Sequence, residues 1–489
     1  MKKCIILATA IAFFCLPAIS FAVMGEMTPK SKDIEINFFG SLKTYPTFSS
    51  KLNFNSDTNV GDWMLDESGA MDNHTIRNEL RIGWLGKGKN WDFLIILESD
   101  FNLDKVNGDR GQDATTAAMF DDSGMSGEDF GVEKLNVTYN FGPFAVETGW
   151  NTKFLDIMTG GLLYGDDHPY LGLTGKLGSN FSWEALYLVI QDQIDTGGVA
   201  GGPWDTDALD WRVYTLKGIY KTSGGFVISP FYAYSDNDDD NTQDARVHYF
   251  GAEAYGKVGM FVPRLEFVYA TGETDKNENP AGIGYDISAW AAYGSLDFNI
   301  SPAFIPYIGA TFMSGDSDDD DSDIDAFNGI TDIARYTPTF GIENAFIYRL
   351  IPMLGSHLYS HTFDRLASTN PATKTPGYGW ISNSGSGSAP GLIQYGIGAK
   401  GNIDKWFYKT QVLYFLFEDE GGLEDIYGRN IDDEVGLEWD LRVGYNFSKH
   451  FTLADTFSVF DPGDAIQDIY GNNFDDTAIL NTVELIWNW

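Results

Sequence analysis

The chain has 489 residues, with 70 Asp and Glu against 32 Lys and Arg, a formal net charge of −38. That excess excludes nucleic acid as a partner, because a phosphate backbone would be repelled. Both cysteines, Cys4 and Cys15, fall within the first 22 residues, so once that segment is removed disulfides, thiol catalysis and cysteine metal sites are excluded as well.

The opening "MKKCIILATAIAFFCLPAISFA" combines two lysines, a short apolar run and Ser20-Phe21-Ala22 as a small-x-small site. It reads as a Sec-type signal peptide over 1–22, too short for a membrane span. Phe13 and Phe14 before Cys15 do not fit a lipoprotein site. No later stretch reaches 18 consecutive apolar residues, yet aromatics make up 15% of the chain. An export signal, no helical span and many aromatics point to a closed β-barrel, the other structure that satisfies its own backbone in a bilayer.

The mature chain then repeats one rhythm. "TIRNELRIGWLG" sets Ile76, Leu80, Ile82 and Trp84 against Arg77, Glu79 and Arg81. After "KGKN", "WDFLIILESDFNL" sets Trp91, Phe93, Ile95, Leu97 and Phe101 against Asp92, Glu98 and Asp100. "EKLNVTYNFGPFAVETGW" is a hairpin about Gly142-Pro143. In "EVGLEWDLRVGYNF", Val435, Leu437, Trp439, Leu441, Val443, Tyr445 and Phe447 alternate with Glu434, Glu438, Asp440, Arg442 and Asn446. The last strand, "TVELIWNW", places Val483, Leu485, Trp487 and Trp489 on one apolar face. Period two over a dozen residues is the signal of a half-buried strand.

Connections alternate too. Short ones fall at 86–90, 142–143, 178–180, 222–225, 300–302, 402–405 and 448–450. Long ones fall near 46–72, 104–130, 156–168, 192–209, 235–245, 272–284, 314–334, 366–390, 418–433 and 461–476. Ten long loops with both termini on the opposite side imply an even count near 20; without a hairpin around 353–365, "MLGSHLYSHTFDR", the count is 18. A closed sheet this large leaves a lumen that side chains alone do not fill. No 40-residue blade repeat supports a propeller. The expectation is an all-β, transmembrane, antiparallel up-and-down β-barrel of 18–20 strands, with short periplasmic turns and long acidic extracellular loops. Residues 23–489 form its single domain.

The signal peptide, the hairpin rhythm and the terminal Trp489 together resemble Gram-negative outer-membrane porins. The resemblance implies that Trp489 is the assembly signal read by the barrel-assembly machinery, that lipopolysaccharide is a neighbour, and that a homotrimer is one family habit. More loosely, the length and the loops opening "YATGETD" and "FMSGDSDDDD" are similar to the alginate-export type of porin. That type implies a pore lined with arginine and lysine, whereas this chain is strongly acidic.

Acidic residues concentrate in the loops, densest at 316–325, "DSDDDDSDID". Like charges keep a loop extended and solvated. They could also hold Ca²⁺ or Mg²⁺ through Asp316, Asp318, Asp320 and Asp323, although neither register supplies the Gly and Glu of an EF-hand. No cofactor is required. On the strands, Arg77, Glu79, Arg81, Glu98, Lys134, Glu438, Asp440 and Arg442 are the candidate pore-lining residues. A constriction is expected from loop 104–130 or 314–334.

Of the six histidines, only His357 and His361 cluster, and "HLYSH" lacks the Glu of a zinc protease motif. The function expected is passive diffusion of ions and small hydrophilic solutes with a preference for cations, because an acidic mouth concentrates cations. Rival readings are a specific polysaccharide exporter, the sheath of a porin–cytochrome conduit with haem on a partner, and a surface enzyme.

Overall fold

The computed structural model describes residues 34–51, 73–102, 130–192, 210–238, 245–274, 284–317, 323–327, 329–330, 390–472 and 474–489. Both cysteines, the 1–22 segment, loop 104–129, and His357 and His361 lie outside them.

Eighteen long strands form the wall. They are β1 (Glu35–Ser50), β2 (Asn73–Lys87), β3 (Trp91–Asn102), β4 (Gly131–Asn140), β5 (Phe144–Phe154), β6 (Gly165–Leu177), β7 (Phe181–Asp192), β8 (Asp210–Lys221) and β9 (Val227–Asp238). They continue with β10 (Ala245–Tyr255), β11 (Phe261–Thr274), β12 (Asp286–Phe298), β13 (Ile305–Met313), β15 (Leu392–Ile403), β16 (Trp406–Leu416), β17 (Glu434–Ser448), β18 (Phe451–Pro462) and β19 (Ala478–Asn488). A two-residue strand, β14 (Asp323–Ile324), lies parallel to β12 at Asp286 and Ile287. Each wall strand pairs antiparallel with its neighbours, and β19 pairs with β1 from Ser41↔Asn488 to Ser50↔Ile479, which closes the barrel. β13 pairs directly with β15 from Ile305↔Lys400 to Met313↔Leu392. No strand intervenes there, so the wall has 18 strands rather than 20; residues 353–365 themselves lie outside the described ones.

Alternation sorts the two faces. In β8, Trp211, Val213, Thr215 and Lys217 are buried while Tyr214 and Leu216 are 41% and 54% exposed. The same outward rows carry Phe250, Phe267, Trp290, Ile397 and Trp439 around the wall. So large an exposed apolar band requires a lipid surround. No described helix is long and apolar enough to cross a membrane, a test that does not apply to strands.

Glycines let aromatic rings fold across neighbouring strands. A Cβ on Gly83 or Gly444 would overlap the ring of Phe39 or Phe407. Each ring covers the glycine directly opposite it on the neighbouring strand, which helps pin the register. At the other end of the strands, the connections at 417–433 and 463–477 are not extended acidic loops. They contain the short helices α1 (Gly421–Tyr427) and α2 (Asp464–Tyr470). Leu423, Ile431, Ala465 and Ile466 are at most 1% exposed, and Asp432 N donates to Asp468 at 2.9 Å, joining the two connections. Apolar residues interspersed among the acids overcame charge repulsion.

Candidate functional site: the inner wall of the barrel

The inner wall falls into two halves. From β7 to β13 much of it is apolar, with Leu188, Val213, Ala233, Tyr249, Val268 and Ala289 at 0% exposure. Two segments folded into the lumen cover it. The first is 155–164, between β5 and β6, whose "LLY" run at Leu162–Tyr164 is almost wholly buried. It reaches the inner faces of β10 and β11, five and six strands from β5, which a loop can do only from inside the barrel. Glu266 on β11 accepts Thr159 Oγ1 at 2.6 Å, Gly160 N at 2.7 Å, Gly161 N at 3.2 Å and Leu162 N at 3.3 Å. Glu253 on β10 accepts Met158 N at 3.1 Å and binds Lys217 at 2.6 Å, while Lys217 also donates to the Leu155 carbonyl. Each of these backbone N–H groups thus finds an acceptor away from water. Gly161, at φ +65°, and Gly160, pressed against Tyr293, let the backbone come this close. Asp156 closes the loop on itself by accepting Leu163 N and Tyr164 N.

The second segment is the described part of 314–330. Ile324, Ala326, Phe327 and Ile330 are at most 3% exposed, and Ile330 N donates to Leu163 O at 2.8 Å, so the two segments support each other. The expectation of an inward loop at 314–334 thus matches its described residues, while 104–129 lies outside them. The 155–164 segment was not foreseen as inward; its signal was an apolar run inside a loop.

The remaining inner face, on β1–β5 and β15–β19, is charged and paired. Arg81 binds Glu98, Glu79 at 3.1 Å and Glu133 at 3.0 Å, and Lys43 binds Glu79 at 2.5 Å. Glu133 joins this cluster because the register shifts between Ile96 and Leu97, and a bulge re-aims a side chain. Glu147 accepts from Lys153 at 2.8 Å and from Tyr170. Further round, Asp297 lies 3.1 Å from Arg264 and 3.2 Å from Lys400. Arg442 grips Glu484 through two hydrogen bonds of 2.8 and 2.7 Å. Lys400, Lys409 and Arg442 stand opposite one another on β15, β16 and β17.

The residues singled out from sequence therefore separate. Glu79, Arg81 and Glu98 form one cluster. Arg442 belongs to another, beside Asp440, which accepts Gln411 at 3.0 Å and like Glu438 has no exposed surface. Lys134 is drawn to Thr152 and stands 3.9 Å from Asp167. The side chain of Arg77 lies outside the described ones. Asp316 is buried and accepts Asp325 N at 3.3 Å, Asp323 is exposed at β14, and Asp318 and Asp320 lie outside the described residues. Among the described residues no group of three or more His, Cys, Asp and Glu is arranged to hold a metal ion. Trp489 exchanges two backbone hydrogen bonds with Gly40, at 3.2 and 3.1 Å. Lys43, Glu133, Arg264, Lys400, Lys409 and Glu484 were missed, because each matters through a cross-strand neighbour that alternation does not name.

The sequence matches no family model and no curated protein. The fold is similar to OccAB2 of Acinetobacter baumannii, with TM-score 0.52, 11% identity, 93% of this chain and 98% of that one covered. It is similar to opdK, an outer membrane protein of Pseudomonas aeruginosa, with TM-score 0.51, 8% identity and coverages of 93% and 98%. OccK8 (OprE) of Pseudomonas aeruginosa gives TM-score 0.50, 11% identity and the same coverages of 93% and 98%. What is shared is the fold, over nearly the whole of both chains.

Proposed function

We propose that this protein is an outer-membrane channel of a Gram-negative bacterium that passes ions and small hydrophilic solutes and prefers cations. The observation that carries the reading is the closed 18-strand wall, apolar outside, with charged clusters lining the lumen on β1–β5 and β15–β19 and inward segments covering much of the face on β7–β13. Solutes would follow the charged side. The likeness to an outer membrane protein supports the location. The acidic loops would concentrate cations at the mouth and meet divalent ions bridging to lipopolysaccharide phosphates. Trp489 would be read by the barrel-assembly machinery, and copies of the chain would assemble as a homotrimer.

A second reading is favoured by one observation. Lys400, Lys409 and Arg442 lie side by side, and Asp297 is shared by two cations, which suits an acidic solute such as a polyuronate. The deciding experiment is single-channel current of the refolded mature chain in a planar bilayer under a potassium chloride gradient. Discrete steps with a reversal potential toward potassium support the first reading. Chloride preference with saturable block by oligouronates favours the second, and no steps from a folded barrel overturns both.

A further inference from the structure

The chain is strongly acidic, yet its short-turn end is not. Eight short connections join the wall strands there, and six carry or adjoin exposed lysines, seven in all: Lys87 and Lys89, then Lys176, Lys221, Lys257, Lys405 and Lys449. The other two, 141–143 and 299–304, carry no charge. Against these lysines stand Glu35, Asp92 and Asp404 among the described residues at this rim, while Asp297 near the 299–304 turn is buried and paired with Arg264 and Lys400. In a chain with 70 acidic and 32 basic residues, solvation alone would have put Asp and Glu in these turns.

The lysines also sit at a defined height. Just inside the rim runs a band of outward aromatics, in which Trp91 stacks on Phe93 at 6.1 Å and Phe451 on Trp487 at 4.0 Å, and Trp406 meets Tyr445 edge-on at 4.9 Å. Such belts mark the boundary between hydrocarbon and headgroups. The Lys405 ammonium lies 5.9 Å from the centroid of the Tyr445 ring and donates to the Phe447 carbonyl at 3.2 Å, which sets the charge at the edge of the belt. We infer that the short-turn rim is a ring of lysines that binds the phosphate headgroups of anionic glycerophospholipids in the adjoining leaflet.

Distribution favours lipid over an acidic protein partner. A protein would need its cations gathered on one side, whereas these turns stand at β2–β3, β6–β7, β8–β9, β10–β11, β15–β16 and β17–β18, all round the barrel. Lipid surrounds a barrel on every side, and clustered basic residues at a membrane surface attract anionic lipid. The inference rests on the wall spanning a membrane, which the bilayer current tests separately; a channel indifferent to lipid charge would sink this inference alone.

The test is quenching of tryptophan fluorescence in the refolded mature chain by brominated lipids, comparing brominated phosphatidylglycerol with brominated phosphatidylcholine in otherwise identical vesicles. The expected result is an apparent affinity for the anionic lipid at least about threefold higher at low salt. It should shrink toward equality in 0.5 M salt, since exposed charges are screened. A variant with all seven lysines changed to Gln should lose the preference, while the seven Lys→Arg changes should keep it, with heat-modifiable gel mobility reporting that both fold. Equal quenching by the two lipids in the unaltered chain overturns the proposal. So does a preference that survives in the folded Gln variant. Should the unaltered chain ignore lipid charge and instead be retained on immobilised polyglutamate, the ring belongs to an acidic protein partner.

Discussion

Thr159 donates its hydroxyl to Glu266 at 2.6 Å, joining the connection after β5 to the inner face of β11, six strands further round the wall. This carboxylate also receives three backbone N–H groups, so a single side chain pins the inward segment. Replacing Glu266 with Ala strands four donors in a buried site and should cost about 3 kcal/mol. Freed from its anchor, the segment should leave the lumen, and single-channel conductance should rise. A folded Glu266→Ala barrel with unchanged conductance would show that 155–164 does not narrow the path.

The Arg442–Glu484 pair is a second anchor, in the wall itself. Glu484 is 1% exposed, so Arg442→Ala leaves an uncompensated buried charge and should cost about 4 kcal/mol. Arg442→Lys keeps the charge but cannot reproduce the two-pronged contact, and should recover only part of the loss. In the double variant Arg442→Ala with Glu484→Ala, the penalty should be smaller than in Arg442→Ala alone. Urea midpoints in a common detergent measure all three; additive losses would mean that the two side chains do not interact.

What could be read from sequence tracked how strongly local pattern dictates structure. The strands at 75–86, 91–102 and 434–447 were legible because a side chain every second residue meets lipid, and lipid tolerates little else. Glu98, Arg81 and Glu79 were legible as inner-face residues for the same reason. Their partner Glu133 was not, since a one-residue bulge changes where a side chain points without changing composition. In β8 the alternation fails as a guide: Trp211 and Val213 face inward and Arg212 outward, because the inward segments make part of the lumen an apolar core. The count stays open between 18 and 20 in the sequence because 314–334 and 366–390 read as separate loops, whereas the pairing of β13 with β15 gives 18.

Cation preference, if set by the acidic loops, must depend on salt. Exposed charges act over about 10 Å at 0.1 M and about 3 Å at 1 M. The potassium-to-chloride permeability ratio should therefore be high at 0.1 M and approach unity at 1 M. Neutralising Glu424, Asp425, Asp432 and Asp433 in the connection around α1 should lower the ratio at 0.1 M and leave it unchanged at 1 M. A ratio that holds constant across this range would place selectivity deeper, among the paired charges around Arg81 and Arg442, where screening is weaker.

The final strand raises the question of whether Trp489 acts as a signal or as a part of the wall. Its indole lies where a Cβ on Gly40 would be, and its backbone exchanges two hydrogen bonds with Gly40, so it completes the seam between β19 and β1. Gly40→Val would evict the ring and leave the terminal residue intact. Trp489→Ala would remove a ring that is 47% exposed and forfeit about 2 kcal/mol of packing. A purely structural role predicts that both changes slow refolding in detergent, where no machinery is present, and do so by similar amounts. A recognition role predicts that Gly40→Val assembles in cells as well as the unaltered chain while Trp489→Ala does not. Comparing heat-modifiable folded protein from refolding with that from outer membranes separates the two. If both variants fail in detergent and Trp489→Ala fails more severely in cells, the residue does both jobs, because the ring that closes the seam is then also the one presented for recognition.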